Sequence, residues 1–343
     1  MSSAPDIAVV IAAYCAQDTI AAAIRSALAL DRVSEVVVVD DASSDATIEM
    51  AHAADDGSRR LRVFSLHANA GPAAARNVAL QRSTAPLIAI LDADDVFLPG
   101  RFDRLPADEE WDLFADNVVF VSGLAELVSI PDHAGEKGWT LSASQFVYGN
   151  ISRIGAPRGE LGFMKPVIRR AFLDANGIRY GEDLRLGEDF ELYTRCLLAG
   201  GKFIVSTRIG YAAVLRSNSL SEAHGSEHLR ALAEASQGLL ERCNAAADRS
   251  ALRTHRDHIL AKLAQRELLD RKRSVGLLGA VVSMIGRPRQ LKWAGERVLM
   301  DKLNARRGLR ATTGPRTLLS LEGSSDHAEA RLVSTDVTRD HSA

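Results

Sequence analysis

The sequence predicts an α/β fold: a mostly parallel central sheet with helices on both faces, continued at its C-terminal end by further helices. Three observations carry this. Short, continuously apolar runs alternate with helical periodicity over about the first hundred residues, and each ends in turn or capping residues. The runs have no polar face, the pattern of strands covered on both sides. Beyond Ser221 the periodicity is helical throughout.

In order, Ile7–Ala13 reads as the first strand and Thr19–Leu30 as the helix returning from it. Glu35–Val39 is a second buried strand, and Ser44–Ala54 opens with capping residues and continues as a helix. Leu61–Leu66 is a third strand, Pro72–Arg82 a helix with Pro in its first turn, and Leu87–Leu91 a fourth strand. From about Val118 to Tyr211 the pattern loosens. Strand runs remain at Val118–Val121 and Phe203–Val205, and a helix opening near Asp189 stops at Gly200-Gly201. Glu227–Asn244 and Ala251–Lys272 are helices, and from Ala311 the chain is polar and unpatterned, the composition of a disordered tail.

Composition excludes more than it assigns. Hydrophobic content of 46% and charge of 25% over 343 residues are those of an ordinary globular chain with ample core. Cys15, Cys196 and Cys243 are scattered, which argues for a reducing compartment and against a disulfide framework or structural zinc. No basic segment precedes the first apolar run, so no signal peptide is expected, and no apolar stretch is long enough to span a bilayer. The net charge of -2 conceals an uneven distribution: residues 249–310 hold sixteen Lys/Arg against five Asp/Glu.

The stretch Ile88–Gly100, IAILDADDVFLPG, sets Asp92, Asp94 and Asp95 after a buried strand, and Asp40 and Asp41 close the second strand in the same way. Parallel sheets bind ligands at the carboxyl ends of their strands, so both clusters belong to one acidic cleft. Such crowded carboxylates need a compensating partner. Capped turns would explain any one of them. Asp92-Ala93-Asp94-Asp95-Val96 also matches the DxDx[TV] nucleophile motif of haloacid-dehalogenase phosphohydrolases, but that motif sits on a first strand, whereas here three strand–helix units precede it. The third reading is a divalent cation, Mg or Mn, bridging carboxylate oxygens and a nucleotide diphosphate.

In combination, VVIAAY (Val9–Tyr14), VVVVDDASSDAT (Val36–Thr47), NAGPAAARN (Asn69–Asn77), LDADD (Leu91–Asp95) and GEDFELYTR (Gly187–Arg195) resemble family 2 glycosyltransferases of the GT-A fold. The resemblance covers about residues 5–220 and implies a transferase domain over 1–220. Its halves would be 1–117 for the nucleotide sugar and 118–220 for the acceptor, followed by a basic helical extension, 221–310, and a tail, 311–343. Carried over by position, the resemblance implies that Ala12, Tyr14, Asp40, Asp41, Arg76, Asp92 and Asp94 bind the nucleotide sugar. It likewise implies that Asp94, with Asp92 and Asp95, holds the metal, that Asp189 is the general base, and that Glu188 lies on the acceptor side. Ala12 and Cys15 stand where the family pattern has Pro and Asn, which implies an altered pocket shape and leaves open a noncatalytic glycan- or lipid-binding descendant. The QxxRW signature of processive members is absent, implying one sugar per acceptor; His224 is the nearest substitute for the family's metal-binding His.

The overall pattern, including GFMKPVIRRAFLD (Gly162–Asp174), is similar to bacterial exopolysaccharide transferases of the succinoglycan type. That implies a UDP-sugar donor and a polyprenyl-diphosphate-linked saccharide acceptor at the cytoplasmic face of the membrane. Lys165 and Arg169 are then candidates for contact with an anionic acceptor. Val275–Ile285 lies between Arg271-Lys272-Arg273 and Arg287, Arg289 and Lys292, a pattern that suits an anionic membrane surface or a helix packed on the domain. With little aromatic interleaving in the basic region, nucleic acid is not an expected partner.

Overall fold

Runs of Val, Ile and Ala with no polar face become the centre of the sheet. In the computed structural model, which describes residues 6–106, 110–129, 137–152, 160–215, 225–306 and 315–319, the chain opens with β1 (Ile7–Ala13), α1 (Ile20–Leu28), β2 (Val33–Asp40), α2 (Thr47–His52), β3 (Leu61–Ser65), α3 (Pro72–Arg82) and β4 (Leu87–Ile90). It continues through β5 (Val96–Phe97), β6 (Leu113–Val121), β7 (Gly138–Leu141), α4 (Ala143–Tyr148), β8 (Val167–Arg169), α5 (Arg170–Ala175), α6 (Glu188–Leu198) and β9 (Phe203–Val214). The helices α7 (Ser226–Arg242), α8 (Ala246–Val282) and α9 (Pro288–Arg306) follow, and β10 (Arg316–Thr317) is the last described element.

The strand order is β3-β2-β1-β4-β8-β6-β9-β5, with β10 added to β6 and β7 to β9. The first four strands are parallel, as the alternation predicts. Pairing of Ala13 with Asp40, and of Val10 with Ile90, brings the carboxyl ends of β1, β2 and β4 to one rim. The second half is mixed: β8 runs antiparallel to both β4 and β6, while β6 and β9 are parallel.

Three differences from the sequence expectations have physical reasons. The strand expected at Val118–Val121 begins at Leu113, because its interior carries Asp116 and Asn117, which interrupt the apolar run yet are buried. Asp116 is paired with Arg101 at 2.9 Å, and Asn117 donates to the Leu319 carbonyl at 3.1 Å. The strand at Phe203 runs to Val214 for the same reason, through Ser206, Thr207 and Arg208. The tail from Ala311 is not wholly outside the fold: Arg316–Thr317 pairs antiparallel with Val119 and Phe120, and Leu318 is buried in the main core. Two residues of strand have no detectable period. His224 lies outside the described residues.

The boundary at about residue 220 does not separate two cores. Leu232, Ala233, Leu239 and Leu240 of α7 and Ala251, Leu252 and Ile259 of α8 join the core of the α/β domain. They pack against α6. Gly187, at φ +76°, begins that helix, and a Cβ there would lie 2.7 Å from the Leu232 side chain. The His255 ring stacks on Phe190 with centroids 4.1 Å apart, and its Nδ1 lies 3.1 Å from Ser236 Oγ.

Burial pushes His255 down to about 3 and His258 down to about 2, so both rings are neutral in the folded chain. Below about pH 6.5 the unfolded chain takes up protons that the folded chain refuses, so stability falls with pH. Each histidine is expected to remove about 2 kcal/mol of unfolding free energy between about pH 7.5 and about pH 5. Urea unfolding at the two pH values checks this: His255→Gln should show a loss smaller by about 2 kcal/mol than the parent chain.

Candidate active site

The rim at β1 and β2 is shaped by two aspartates used differently. The Asp41 carboxylate accepts the backbone N–H groups of Ala70, at 2.7 Å, and Gly71, at 2.8 Å. Arg185 reinforces that loop by donating to Asn69 Oδ1 at 2.7 Å. This fixes the start of α3, whose Pro at the first turn and Ala-rich face allow close packing on β1 and β2. Asp40 Oδ2 accepts from the Ser43 N–H at 3.1 Å, while its buried Oδ1 has no protein donor. A buried acceptor left in this way at a strand end is suited to a ligand N–H or O–H. Ala12 is half-buried beside Asp40 and Asp41; Tyr14 is exposed. Cys15 adopts φ +47° and donates its N–H to Ser43 Oγ at 2.8 Å, which joins the turn after β1 to the turn after β2.

At the neighbouring rim the charges form one buried network. Arg76, projecting from α3 and 5% exposed, donates from Nη2 to Asp92 Oδ1 at 2.7 Å and from Nη1 to Glu188 Oε1 at 2.8 Å and Asp189 Oδ1 at 3.4 Å. Lys165, also 5% exposed, places Nζ 2.6 Å from Asp189 Oδ2 and 2.9 Å from Asp92 Oδ2. The Tyr180 hydroxyl donates to Asp189 Oδ1 at 3.0 Å. Asp189 and Glu188 occupy the first turn of α6, where the helix dipole favours negative charge.

Burial opposes every charge in this cluster, and the partners override it. Against burial, Lys165 and then Arg76 hold the Asp92 carboxyl well below the usual carboxylate range. Asp189 and then Asp92 hold the Lys165 ammonium and the Arg76 guanidinium above their ordinary values. Asp92, Lys165 and Arg76 are therefore held ionised by their partners, which is how a low-dielectric site retains charge.

Asp92, Asp94 and Asp95 are brought together but serve separate ends. Asp94 is half-buried in the turn. Asp95 is buried, and its two oxygens accept from the Tyr211 hydroxyl at 2.7 Å and the Val214 N–H at 2.9 Å, tying the turn to β9. Burial, then the charges of Asp92 and Asp94, push its carboxyl well above the usual range. Its hydrogen bonds turn both Asp95 oxygens toward β9. Asp95→Asn is expected to lower stability by about 1–2 kcal/mol, because the turn loses an acceptor for one of these donors; thermal unfolding checks it.

A divalent cation fits the remaining donors. Among the described residues no three His, Cys, Asp or Glu side chains converge on one point. Mg and Mn, however, are commonly held by one or two carboxylates plus phosphate oxygens and water, and Asp94 beside Asp92 offers those hard oxygens.

The residues that sequence reasoning passed over are Tyr180 and Tyr211, while Lys165 entered it only as an acceptor contact. Lys165 precedes β8, and only the placing of β8 beside β4 sets it against Asp92. Its backbone is held by Arg101, which donates to the Lys165 carbonyl at 2.5 Å and pairs with buried Asp116. Tyr180 belongs to a loop clamped by Asn77, which donates to the Tyr180 carbonyl and accepts from its N–H, each at 2.9 Å. Arg169, the other acceptor candidate, instead donates to the Trp111 carbonyl and stacks on the Trp111 ring at 4.3 Å.

Comparison with known proteins gives the family and the fold. The family described as Glycosyl transferase family 2 matches residues 8–112, the parallel half of the sheet. The succinoglycan biosynthesis protein ExoU of Rhizobium meliloti (strain 1021) is 43% identical over 300 residues, covering 87% of this chain and 88% of that one. The chain belongs to glycosyltransferase family 2. The fold of this family 2 transferase is GT-A, shared with S. aureus TarS in complex with UDP-GlcNAc at a TM-score of 0.58 and 19% identity, over 86% of this chain and 81% of that one. A Pyrobaculum calidifontis mannosyltransferase in complex with GDP-Man and Mn2+ gives 0.53 at 16% identity, over 90% of each chain. Membership also removes the phosphohydrolase alternative.

Proposed function

We propose that this transferase moves a single sugar from a UDP-sugar to a saccharide acceptor with inversion at the anomeric carbon, aided by Mg or Mn. The acceptor is a polyprenyl-diphosphate-linked intermediate of exopolysaccharide biosynthesis, met at the inner face of the cytoplasmic membrane. The observation that carries the reading is the Lys165 bridge, 2.6 Å to Asp189 and 2.9 Å to Asp92, which joins an acceptor-side carboxylate to a donor-side carboxylate within one buried site.

The two ends of that bridge have separate work. Asp189 takes the proton of the acceptor hydroxyl as its oxygen bonds to the anomeric carbon, while the sugar–phosphate bond breaks and its electron pair leaves with the nucleoside diphosphate. Asp189 is buried, and its hydrogen bonds occupy three of about four lone-pair positions, leaving one for the incoming hydroxyl. Asp92, oriented by Arg76 and Lys165, presents its remaining lone pairs to the donor sugar hydroxyls. Asp40 and Asp41, with Ala12 and Tyr14, frame the nucleotide base, the unpartnered Oδ1 of Asp40 accepting from it. Asp94, with Asp92, would hold the divalent cation, which when bound neutralises charge on the diphosphate.

The donor class is supported by the UDP-GlcNAc complex of TarS, the metal by the Mn2+ complex of the mannosyltransferase, and the biosynthetic setting by the name of ExoU. The test is nucleotide release from a panel of nucleotide sugars with Mn, with and without a membrane lipid extract. Release confined to one donor and stimulated by lipid is expected. No release from any donor, with no metal-dependent UDP affinity, would overturn the reading.

A further inference from the structure

The far end of the helical extension is built unlike the rest of the surface. α8 is part of the domain core as far as Ile259 and then continues to Val275, about 24 Å farther along the helix axis. At Gly276, with φ +76°, the helix breaks, and the chain turns back through Ser283–Arg287 into α9. The returning segment closes on itself: Ala264, Leu268, Ala280, Met284 and Ala294 form a small core of their own. That core leaves the other apolar side chains outside it. Val275 is 61% exposed, Leu277 59%, Leu278 84%, Val282 63% and Ile285 63%.

Five exposed large apolar side chains within Val275–Ile285 are unusual on a soluble surface. Their surroundings decide what covers them. From Arg271 to Gly295 there are six Lys/Arg and no Asp or Glu. All six basic side chains are exposed. Their ion pairs are with acids of the extension: Arg273 with Asp270 at 3.7 Å, Arg287 with Glu267 at 3.9 Å, Lys292 with Glu296 at 3.9 Å and Arg289 with Asp257 at 2.8 Å, the last placing Arg289 at the base of the extension. Exposed pairs of this kind contribute little and yield readily to other anions. No helix among the described residues is long and apolar enough to cross a membrane. An apolar tip ringed by cations and too short to span fits the headgroup–acyl boundary of an anionic bilayer.

We propose that the α8–α9 tip is a membrane-docking device, with Val275, Leu277, Leu278, Val282 and Ile285 entering the boundary and Arg271, Lys272, Arg273 and Arg287 contacting anionic lipid headgroups. The base of the same extension packs on α6 through Leu232 and His255, so docking holds the Asp189 side of the cleft at a fixed reach from the lipid surface. This deepens the lipid-linked-acceptor reading by naming the surface that meets the bilayer, and its evidence is independent of the sugar chemistry.

Sedimentation of the full chain with phosphatidylcholine vesicles, alone or in equal parts with phosphatidylglycerol, tests it. The parent chain is expected to partition onto the anionic vesicles only, and less at high salt. Leu277→Asp with Leu278→Asp should weaken partitioning by at least about tenfold, with unfolding temperature unchanged, because both side chains are exposed. Arg271→Gln with Lys272→Gln should weaken it and flatten its salt dependence. The proposal is overturned if the parent chain stays in solution with anionic vesicles, or if the double-Asp variant sediments equally well. It is overturned too if light scattering shows that variant dissolving a dimer while lipid binding persists. Nucleotide release measured without vesicles reports on the transferase reading separately.

Discussion

Asp189→Asn is expected to lower turnover by about 10²–10⁴-fold, the usual contribution of a positioned general base, while UDP affinity in the presence of Mn stays close to that of the parent chain. The asymmetry follows from where the residue sits. Its nearest partners are Lys165, Tyr180 and Arg76, and it is joined to Asp92 only through Lys165 and Arg76. An amide has nearly the same shape but cannot accept the acceptor proton, and its NH2 group must face one of those donors. Some stability is lost as well, of order 1–3 kcal/mol, so rates are compared well below the unfolding temperature. Initial rates beside calorimetric titration of UDP give both quantities. Near-parental turnover by the Asn variant would remove Asp189 from the base role.

Lys165→Met is expected to be the most damaging single change in the cleft. It leaves Asp92 and Asp189 buried against each other with only Arg76 between them, and breaking a buried pair in this way costs about 3–5 kcal/mol. Turnover should fall by at least about 10²-fold, because both carboxylates lose the group that fixes their positions. A double-mutant cycle distinguishes this from general destabilisation. Combining Lys165→Met with Asp189→Asn removes one charge of each sign, so the pair should cost clearly less in stability than the sum of the single changes. Strict additivity in urea unfolding would mean that the bridge is not an energetic unit.

The parallel half of the molecule was legible because its information is local. The ends of β1 and α3 fall where the sequence places them, since a continuously apolar run and a Pro-initiated Ala-rich helix each carry their own period and punctuation. The shared rim followed from the general rule for parallel sheets, and it brings together Asp40, Asp41 and Asp92. The second half was less legible because its strands bury polar residues. Asp116 and Asn117 are satisfied by Arg101 and by Leu319, more than two hundred residues away in the latter case, and nothing local announces such partners.

The sequence by itself determined the fold class, the family, the acidic rim and the presence of a basic, apolar-tipped extension, because each is written in composition, period or motif within a short window. Only the tertiary structure decided what the charges do. Insertion of β8 beside β4 carries Lys165 to Asp92, and the placing of the first turn of α6 at the same rim lets Arg76 meet Glu188 and Asp189. Pairing of β5 with β9 gives Asp95 to Tyr211. Charge pairing at about 3 Å depends on where distant segments meet in space, and the sequence period of a strand or helix says which face is buried without saying which charge lies opposite.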